Sequence, residues 1–512
     1  MTDQIFIGGG GTDYAAPQVL LLDKANRHGL VAGATGTGKT VTLQIMTEGF
    51  SAAGVPVFLS DVKGDLSGLA KAGSPDFKLH EPFMKRAETI GLDLTYDSFP
   101  VTFWDLFGEQ GHPIRATVAE MGPLLLSRLM ELTDVQEGVL NVAFRVADEE
   151  GLPLLDLKDL QALLVWVGQN AKELSLRYGN VATSSVGAIQ RQLLILENQG
   201  GTALFGEPAL DLADMMRATD GRGQVNILAA DKLMGSPRLY ATFLLWLLSE
   251  LFEELPEVGN PDKPKLVFFF DEAHLLFDDA PKALVDKVEQ VARLIRSKGV
   301  GVYFVTQNPG DIPDDVLGQL GNRVQHALRA FTAKDRKELK TAAETYRENA
   351  AFDTATAIQE VGTGEAVASF LNEKGIPMVV ERTLIRPPSS QLGPITQAER
   401  DGIMRASDMR GKYDAPLDRE SAFEMLGKRA EAAAAAAEKA EADEAALGAK
   451  EREFKAARRY NEGRSSPRSK RSSRSSGGGF GGALASVVAK ELKGTTGRRL
   501  VRGILGSLFK GR

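Results

Sequence analysis

Cysteine is absent from this chain of 512 residues, which excludes a disulfide framework, thiolate zinc sites and a cysteine nucleophile. Histidine is scarce, and no two of the five have the spacing of metal ligands, so we expect no zinc site. No run approaches the roughly twenty uninterrupted apolar residues of a membrane span. The first residues lack a basic region followed by an apolar run, so we expect no signal peptide. These absences predict a cytoplasmic protein. The histidines are His28, His80, His112, His274 and His326.

Charge is unevenly distributed along the chain, whose formal net charge is −7. Residues 463–512 contain twelve Lys and Arg residues and one acid, so this tail carries +11 and the remainder −18. A basic tail indicates nucleic acid or an anionic surface as partner, whereas the acidic remainder argues against general, non-specific coating of DNA.

The order of the apolar runs predicts an α/β fold with a mainly parallel sheet. A buried strand at Leu30–Ala32, a helix at Val41–Phe50 and a strand at Val55–Ser60 form a βαβ unit. Between about residues 114 and 216 the leucines recur at helical spacing, which predicts a helical insertion. Apolar runs then return, at 225–230, 266–270, 300–305 and 323–328.

We therefore divide the chain into six segments. They are short N-terminal strands (1–29), the first part of the core (30–112), the helical insertion (113–220), the second part of the core with C-terminal strands (221–390), an Ala/Glu/Lys-rich helical segment (391–462) and a basic Ser/Arg/Gly-rich tail (463–512). In the tail we expect a disordered Ser/Arg run followed by short amphipathic helices.

A glycine-rich loop joins the first βαβ strand to its helix. Its sequence follows the pattern GxxxxGKT, in which small residues let successive backbone N–H groups surround phosphate oxygens. Lys39 is expected to reach the β- and γ-phosphates of ATP, and Thr40 to ligate Mg²⁺. The competing interpretation is a glycine-rich turn without a ligand. The loop consists of Gly33, Ala34, Thr35, Gly36, Thr37, Gly38, Lys39 and Thr40.

Two carboxylates follow the apolar strand Leu266–Phe270, at the end of the strand where ligands of open α/β sheets bind. We predict that Asp271 holds Mg²⁺ and that Glu272 is the general base for the attacking water. The alternative for Asp271 is a cap of the following helix, and for Glu272 a solvated side chain.

Polar residues also end two further strands. Gln307 follows the strand at 300–305 and could contact both the γ-phosphate and the water, although amides in turns are common without any function. Asp61, Lys63 and Asp65 end the strand Val55–Ser60. They could support the Mg²⁺ region or contact a polymer, or they could form a turn and a helix cap.

Taken in order, these motifs resemble those of the HerA/FtsK superfamily of P-loop ATPases, most closely the bacterial HerA-like proteins. The resemblance covers roughly Leu20 to Phe331. The glycine loop and the DEAH sequence occur in many P-loop families, and the strand-final glutamine with the DVKGDL segment narrows the assignment. The matching segments are GATGTGKT, DVKGDL, FFFDEAH, VYFVTQNPGDIP and GNRVQHALRA.

The resemblance implies a RecA-like P-loop core that assembles as a ring, usually a homohexamer, with ATP between subunits and DNA in the centre. By position, Lys39, Thr40, Asp271, Glu272 and Gln307 match the nucleotide site of the family. Arg323 resembles the arginine that reaches into a neighbour's site, with Arg329 as the second candidate and a surface salt bridge as the alternative. A nuclease or another protein is an implied partner. Archaeal HerA proteins, however, carry an N-terminal β-barrel, where this chain has about thirty residues before the glycine loop. This departure argues against nuclease docking and, less directly, against helicase activity.

Three functions remain as interpretations of the sequence. The first is a ring ATPase that translocates on DNA as a translocase or helicase. The second is a related ATPase that moves another polymer, as secretion-type relatives engage protein. The third is a nucleotide-controlled scaffold whose tail binds nucleic acid or an anionic membrane surface.

Overall fold

The computed structural model describes residues 3–277 and 282–462. The chain divides into two compact units, Met1–Arg419 and Glu420–Arg512. The first unit contains every strand described below and all the helices but the last. The described part of the second unit is mainly a long helix (Ala422–Glu462), which lies within the segment 391–462 that is predicted to be helical. The basic tail, residues 463–512, lies outside the described residues.

The strands are β1 (Gln4–Gly10), β2 (Ala16–Leu21), β3 (Gly29–Ala32), β4 (Val57–Asp61), β5 (Val101–Asp105), β6 (His112–Pro113), β7 (Ala218–Thr219), β8 (Arg222–Gly223), β9 (Val225–Ala229), β10 (Leu266–Phe270), β11 (Val300–Thr306), β12 (Asn322–Gln325), β13 (Glu365–Ser369) and β14 (Glu381–Ile385). Twelve of them form one sheet, in the order β2-β1-β14-β13-β12-β3-β11-β10-β4-β9-β5-β6, and β7 pairs with β8.

The helices are α1 (Lys39–Ala52), α2 (His80–Thr89), α3 (Val118–Leu129), α4 (Asp134–Glu150), α5 (Leu157–Gln169), α6 (Ala171–Tyr178), α7 (Thr183–Asn198), α8 (Gly201–Leu204), α9 (Leu212–Met215), α10 (Pro237–Glu254), α11 (Lys282–Ile295), α12 (Asp314–Leu317), α13 (Ala333–Glu344), α14 (Thr354–Glu360), α15 (Gln397–Ala406) and α16 (Ala422–Glu462). Helices α3 to α9 form the predicted insertion between sheet strands. Among the described helices, none combines the length and the apolar character needed to cross a bilayer.

The central strands of the sheet are parallel, as predicted. Strand β3, which leads into the glycine loop, pairs with β11 on one side and β12 on the other. Strand β10, which precedes the two carboxylates, lies between β11 and β4. The two strands of the first βαβ unit, β3 and β4, are therefore separated by two strands from later in the chain.

The sheet continues with antiparallel strands beyond β12. Strand β13 pairs with β12 and β14, and β1 joins β14 to β2. The short N-terminal strands predicted within residues 1–29 thus form an antiparallel pair, β1 and β2, which extends the main sheet. A buried ion pair secures this side, because Arg386 Nη2 lies 2.9 Å from Oε2 of Glu48 on α1. Glu48 Oε1 also accepts a hydrogen bond from the backbone N–H of Ser390, at 2.9 Å.

Helices cover both faces of the central strands. On one face Phe50 of α1 packs against the rings of Phe269 and Tyr303, with centroids 6.2 and 5.9 Å away. The opposite face of β4 presents Ser60, whose hydroxyl lies 2.7 Å from the hydroxyl of Tyr240 on α10. The strands between these layers are buried along their whole length, which explains their nearly continuous apolar sequences.

Candidate active site

The predicted site residues meet at one edge of the sheet. Thr306 of β11 pairs with Ala32 of β3, so Gln307 follows level with the start of the glycine loop. Phe270 of β10 pairs with Phe304 of β11, which brings the two carboxylates to the same edge. Because β11 separates β3 from β10, Gln307 lies between the glycine loop and the acidic pair. The carboxyl edge of parallel strands is where open α/β sheets bind ligands.

The glycine loop has backbone φ angles that are unfavourable for residues with a side chain. Gly33, Gly36 and Gly38 have φ values of 149°, 79° and 120°, a region that residues with a Cβ rarely adopt. A Cβ on Gly33 would lie 2.5 Å from Cβ of His326. The loop is bonded to the end of β11 and to the segment that follows β12, since Gly33 N–H donates to Thr306 O at 3.2 Å and Ala34 N–H to Ala327 O at 2.9 Å. A rigid turn with backbone N–H groups before a helix suits a phosphate group.

Lys39 begins α1 and folds back over the loop. Its ammonium donates to the carbonyl oxygens of Gly33 and Ala34, at 2.5 and 3.2 Å. Burial lowers the pKa of Lys39, and the carboxylate of Glu272 acts in the opposite direction. The charge is thus held beside the concavity of the loop, where it can compensate the charge of a phosphate. Thr40 follows on the first turn of α1 and is half-buried.

The acidic pair is held by hydrogen bonds from two elements. The backbone N–H of Asp271 donates to Ser60 Oγ at 3.2 Å, and the Tyr240 hydroxyl donates to Asp271 O at 3.1 Å. Burial first, and then the Glu272 carboxylate, raise the pKa of Asp271 to about 7. Glu272 has a left-handed backbone (φ 48°, ψ 50°), which is uncommon for a residue with a side chain and occurs often at functional sites.

Three side chains surround the Glu272 carboxylate, which is almost fully buried. Lys63 Nζ lies 3.4 Å from Oε1. Gln307 Nε2 donates to Oε2 at 3.4 Å, and His274 Nδ1 lies 3.5 Å from the same oxygen. Gln307 is exposed, so its amide can contact both Glu272 and a ligand at this edge. The structure therefore brings together the side chains for which phosphate, water and base roles are predicted.

The family of this chain follows from its similarity to known proteins. The family described as "Helicase HerA-like C-terminal" matches residues 10–512, which is nearly the whole chain. The chain belongs to this family. It is a HerA-like P-loop protein, as the resemblance of its motifs implied.

Individual relatives of the HerA-like chain are distant. It is 28% identical over 154 residues to the "Probable helicase MJECL08" of Methanocaldococcus jannaschii, a match that covers 28% of each protein. The chain thus spans little more than a quarter of the length of this curated relative. The bacterial conjugative coupling protein TrwBdeltaN70 superposes with a TM-score of 0.50 at 14% identity, over 76% of this chain and 92% of that one. TrwB in complex with the non-hydrolysable GTP analogue GDPNP gives a TM-score of 0.50 at 15% identity, over 78% and 92%. These two likenesses show a shared fold.

The DVKGD segment of the HerA-like chain combines a turn with a contact to the site. The Asp61 carboxylate accepts the backbone N–H groups of Gly64 and Leu66, at 2.7 and 3.0 Å, as expected for a turn and helix cap. Burial first, and then Asp65, raise the pKa of Asp61 to about 6. Burial also raises the pKa of Asp65. Lys63, in contrast, is half-exposed and directs its ammonium towards Glu272.

Arg323 is engaged within its own subunit. Its guanidinium donates to the carbonyl oxygens of Leu317, Leu320 and Thr345, at 2.7, 2.8 and 3.1 Å. The role predicted for it at a neighbour's site stays a prediction, and this placement favours the second candidate. Arg329 is exposed, and its guanidinium has no hydrogen-bond or ion-pair partner in the part of the chain that the structure describes.

His326 of the HerA-like chain connects elements that sequence reasoning did not bring together. Its Nδ1 lies 2.9 Å from the carbonyl oxygen of Glu365, so this nitrogen carries the proton and Nε2 accepts from the Thr42 hydroxyl at 2.8 Å. Burial lowers the pKa of His326 to about 4, which keeps the ring neutral at neutral pH. Nearby, Gly364 N–H donates to Thr37 O at 3.0 Å. No periodicity or motif signals these contacts, because the partners are distant in the sequence: His326 lies 39 residues from Glu365 and 284 residues from Thr42.

Thr42→Val is expected to lower the free energy of unfolding by about 1–3 kcal/mol, because His326 Nε2 would be left buried without a partner. Urea unfolding of the purified protein measures this change. Thr47→Val is the matched control, since Thr47 is equally buried on α1 but donates only to Leu43 O of its own helix, at 2.8 Å. Equal effects of the two substitutions would contradict a structural role for the Thr42–His326 bond.

Proposed function

We propose that this HerA-like protein is a Mg²⁺-dependent ATPase that uses hydrolysis to move along DNA as a ring, most simply a homohexamer. One observation supports ATP hydrolysis: the glycine loop, Asp271, Glu272 and Gln307 lie at the same edge of the sheet. These residues supply, in one place, a phosphate cradle, a metal ligand, a base and an amide that can orient water.

The residues at this edge fit Mg²⁺–ATP. The concavity of the glycine loop needs an anion of several oxygens, since its backbone N–H groups and Lys39 are donors. Thr40 and Asp271 offer the hydroxyl and carboxylate oxygens that suit Mg²⁺. When bound, the ion compensates the negative charge that develops between the β- and γ-phosphates.

The chain's own residues then act on a water molecule. Gln307 orients the water and Glu272 accepts its proton while the water oxygen forms a bond to the γ-phosphorus. The bond from the γ-phosphorus to the bridging oxygen breaks, and its electron pair stays on ADP. Lys39 compensates charge on the β- and γ-phosphates. Arg329 of a neighbouring subunit is the side chain we assign to the remaining charge, because its guanidinium is exposed and has no hydrogen-bond or ion-pair partner among residues 3–277 and 282–462.

DNA as the transported polymer is supported by membership of the family and by the basic tail. We expect double-stranded DNA to raise the steady-state rate of ATP hydrolysis by the full-length protein. We also expect DNA affinity to fall steeply with salt, by on the order of 10³-fold between about 50 and about 200 mM if about six phosphates are contacted. A coupled ATPase assay and a fluorescence-anisotropy titration at several salt concentrations measure these effects, beside a mass measurement of the oligomer.

Two further arms of the same experiment separate the other functions. Stimulation by an unfolded polypeptide, but not by DNA, would favour an ATPase that moves protein. A chain lacking residues 463–512 tests the tail: if it loses binding to vesicles of anionic lipid and keeps binding to DNA, the tail is a membrane anchor. If it loses DNA binding but keeps its basal ATPase rate, the tail supplies contacts to nucleic acid.

A further inference from the structure

The general base proposed above has a cationic neighbour that the hydrolysis scheme does not use. Lys63 Nζ lies 3.4 Å from Oε1 of Glu272, whereas Gln307 and His274 approach Oε2. The Glu272 side chain is 11% exposed and that of Lys63 is 48% exposed. The contact therefore joins a base inside the site to an ammonium that solvent, and any ligand outside the site, can reach.

We propose that Lys63 is a positioning residue that restrains Glu272, and that phosphates of a bound DNA release this restraint by attracting the ammonium. The proposal rests on the proposed function, because it assumes that Glu272 accepts the proton of the attacking water. A carboxylate held by an ammonium through Oε1 has one oxygen fewer to accept a hydrogen bond from water, and its orientation is set by the ion pair. Hydrolysis would then be slow until the polymer is bound.

The surroundings of Lys63 allow its side chain to move while its backbone stays in place. The Asp61 carboxylate holds the backbone N–H groups of Gly64 and Leu66, which fixes the turn that carries Lys63. The turn is open to solvent at Gly64, where an added Cβ would meet no atom within 4 Å. A half-exposed ion pair of a flexible lysine is weak, so phosphate oxygens can compete for the ammonium.

Another role for Lys63 would be direct binding of the γ-phosphate. The contacts favour restraint, because the Lys63 ammonium touches the carboxylate, whereas the Lys39 ammonium lies over the glycine loop. The two roles predict opposite effects on the hydrolysis rate when the ammonium is removed. Loss of a phosphate ligand slows hydrolysis, whereas loss of a restraint on the base accelerates it when DNA is absent.

The test compares Lys63→Met with Lys63→Arg in the full-length chain, with kcat and KM for ATP measured with and without double-stranded DNA. We expect Lys63→Met to raise the DNA-free kcat by about two- to fivefold, as fits the loss of a weak ion pair, and to leave KM unchanged. The ratio of stimulated to unstimulated kcat should fall towards one. Lys63→Arg should restore the low DNA-free rate and the stimulation, since it keeps the charge. Lys78→Met, at an exposed lysine outside the site, controls for the loss of a surface charge.

The outcomes separate this inference from the proposed function. In a Glu272→Gln background, Lys63→Met should have no effect on the residual rate, because the restraint acts through the carboxylate. A DNA-free kcat that falls or stays unchanged in Lys63→Met, with an unaltered unfolding temperature, overturns the restraint. If Lys63→Met has a higher DNA-free kcat than the parent protein but DNA does not stimulate the parent protein, the restraint on Glu272 is supported and its release by DNA is refuted. A parent protein that does not hydrolyse ATP refutes the proposed function, and the inference with it.

Discussion

Lys39→Ala is expected to lower kcat/KM for ATP hydrolysis by on the order of 10²–10³-fold, the usual effect of removing one preorganised charge or donor from a transition state. The ammonium of Lys39 is buried over the glycine loop and is held by two of its carbonyl oxygens. Among the described residues, no other ammonium or guanidinium donates to these two carbonyl oxygens. A phosphate-release assay with purified protein measures the loss.

The control for Lys39→Ala is Lys78→Ala, which removes an exposed ammonium away from the glycine loop. It should leave both kcat and KM close to those of the parent protein. The unfolding temperature of each variant should be compared, because Lys39 also links α1 to the loop. A folded Lys39→Ala protein that retains more than half of the parent rate would contradict the role assigned to the ammonium.

Glu272→Gln is expected to lower kcat by on the order of 10²–10⁴-fold, because an amide of nearly the same shape cannot accept the proton of the attacking water. Binding of ATP should persist, since the glycine loop, Lys39 and Asp271 are unchanged. The variant should therefore hold ATP without cleaving it. Single-turnover hydrolysis and equilibrium binding of a fluorescent ATP analogue measure the two properties separately.

Glu257→Gln is the matched control, since it makes the same chemical change at an exposed glutamate on the loop before β10. It should change neither property. If Glu272→Gln hydrolysed ATP at the parent rate, the base would have to be another group. If instead it lost ATP binding altogether, the carboxylate would belong to the binding site and not to the chemical step.

The parts of the site that could be predicted are those that local sequence specifies. The glycine loop is continuous, and its strand and helix flank it directly. The acidic pair and Gln307 each follow an apolar strand, and parallel strands bring their carboxyl ends to the same edge. The roles of these residues stay predictions until the variants are measured, whereas their placement at one edge follows from the fold.

The strand order could not be derived from the same patterns. Each run of apolar residues predicts a strand, but no run records which strand is its neighbour. The insertion of β11 between β3 and β10, which places Gln307 beside Glu272, is a pairing between distant segments. Other contacts also join segments that are distant in the sequence. They are the bonds of Ser60 and Tyr240 to Asp271, and those of His326 to Thr42 and Glu365.

Two elements that the sequence analysis does not predict, helix α13 and strand β5, differ in the local signals that their sequences carry. Helix α13 buries only Leu339 and Ala342 and is otherwise charged, so it shows little amphipathic pattern. Its start has a signal, however, because Thr332 and Asp335 form a capping box. Strand β5 has the sequence VTFWD, which is rich in β-branched and aromatic residues, and a search for strand propensity would have found it.

The antiparallel extension of the sheet determines which pieces of this protein can be expected to fold alone. A fragment limited to residues 20–331 would contain every family motif, yet it would lack β1, β13 and β14. It would also leave Glu48 buried without Arg386, and the glycine loop without Gly364 beside Thr37. Unpaired buried charges are strongly destabilising. Expression trials should therefore begin from the whole first unit, Met1–Arg419.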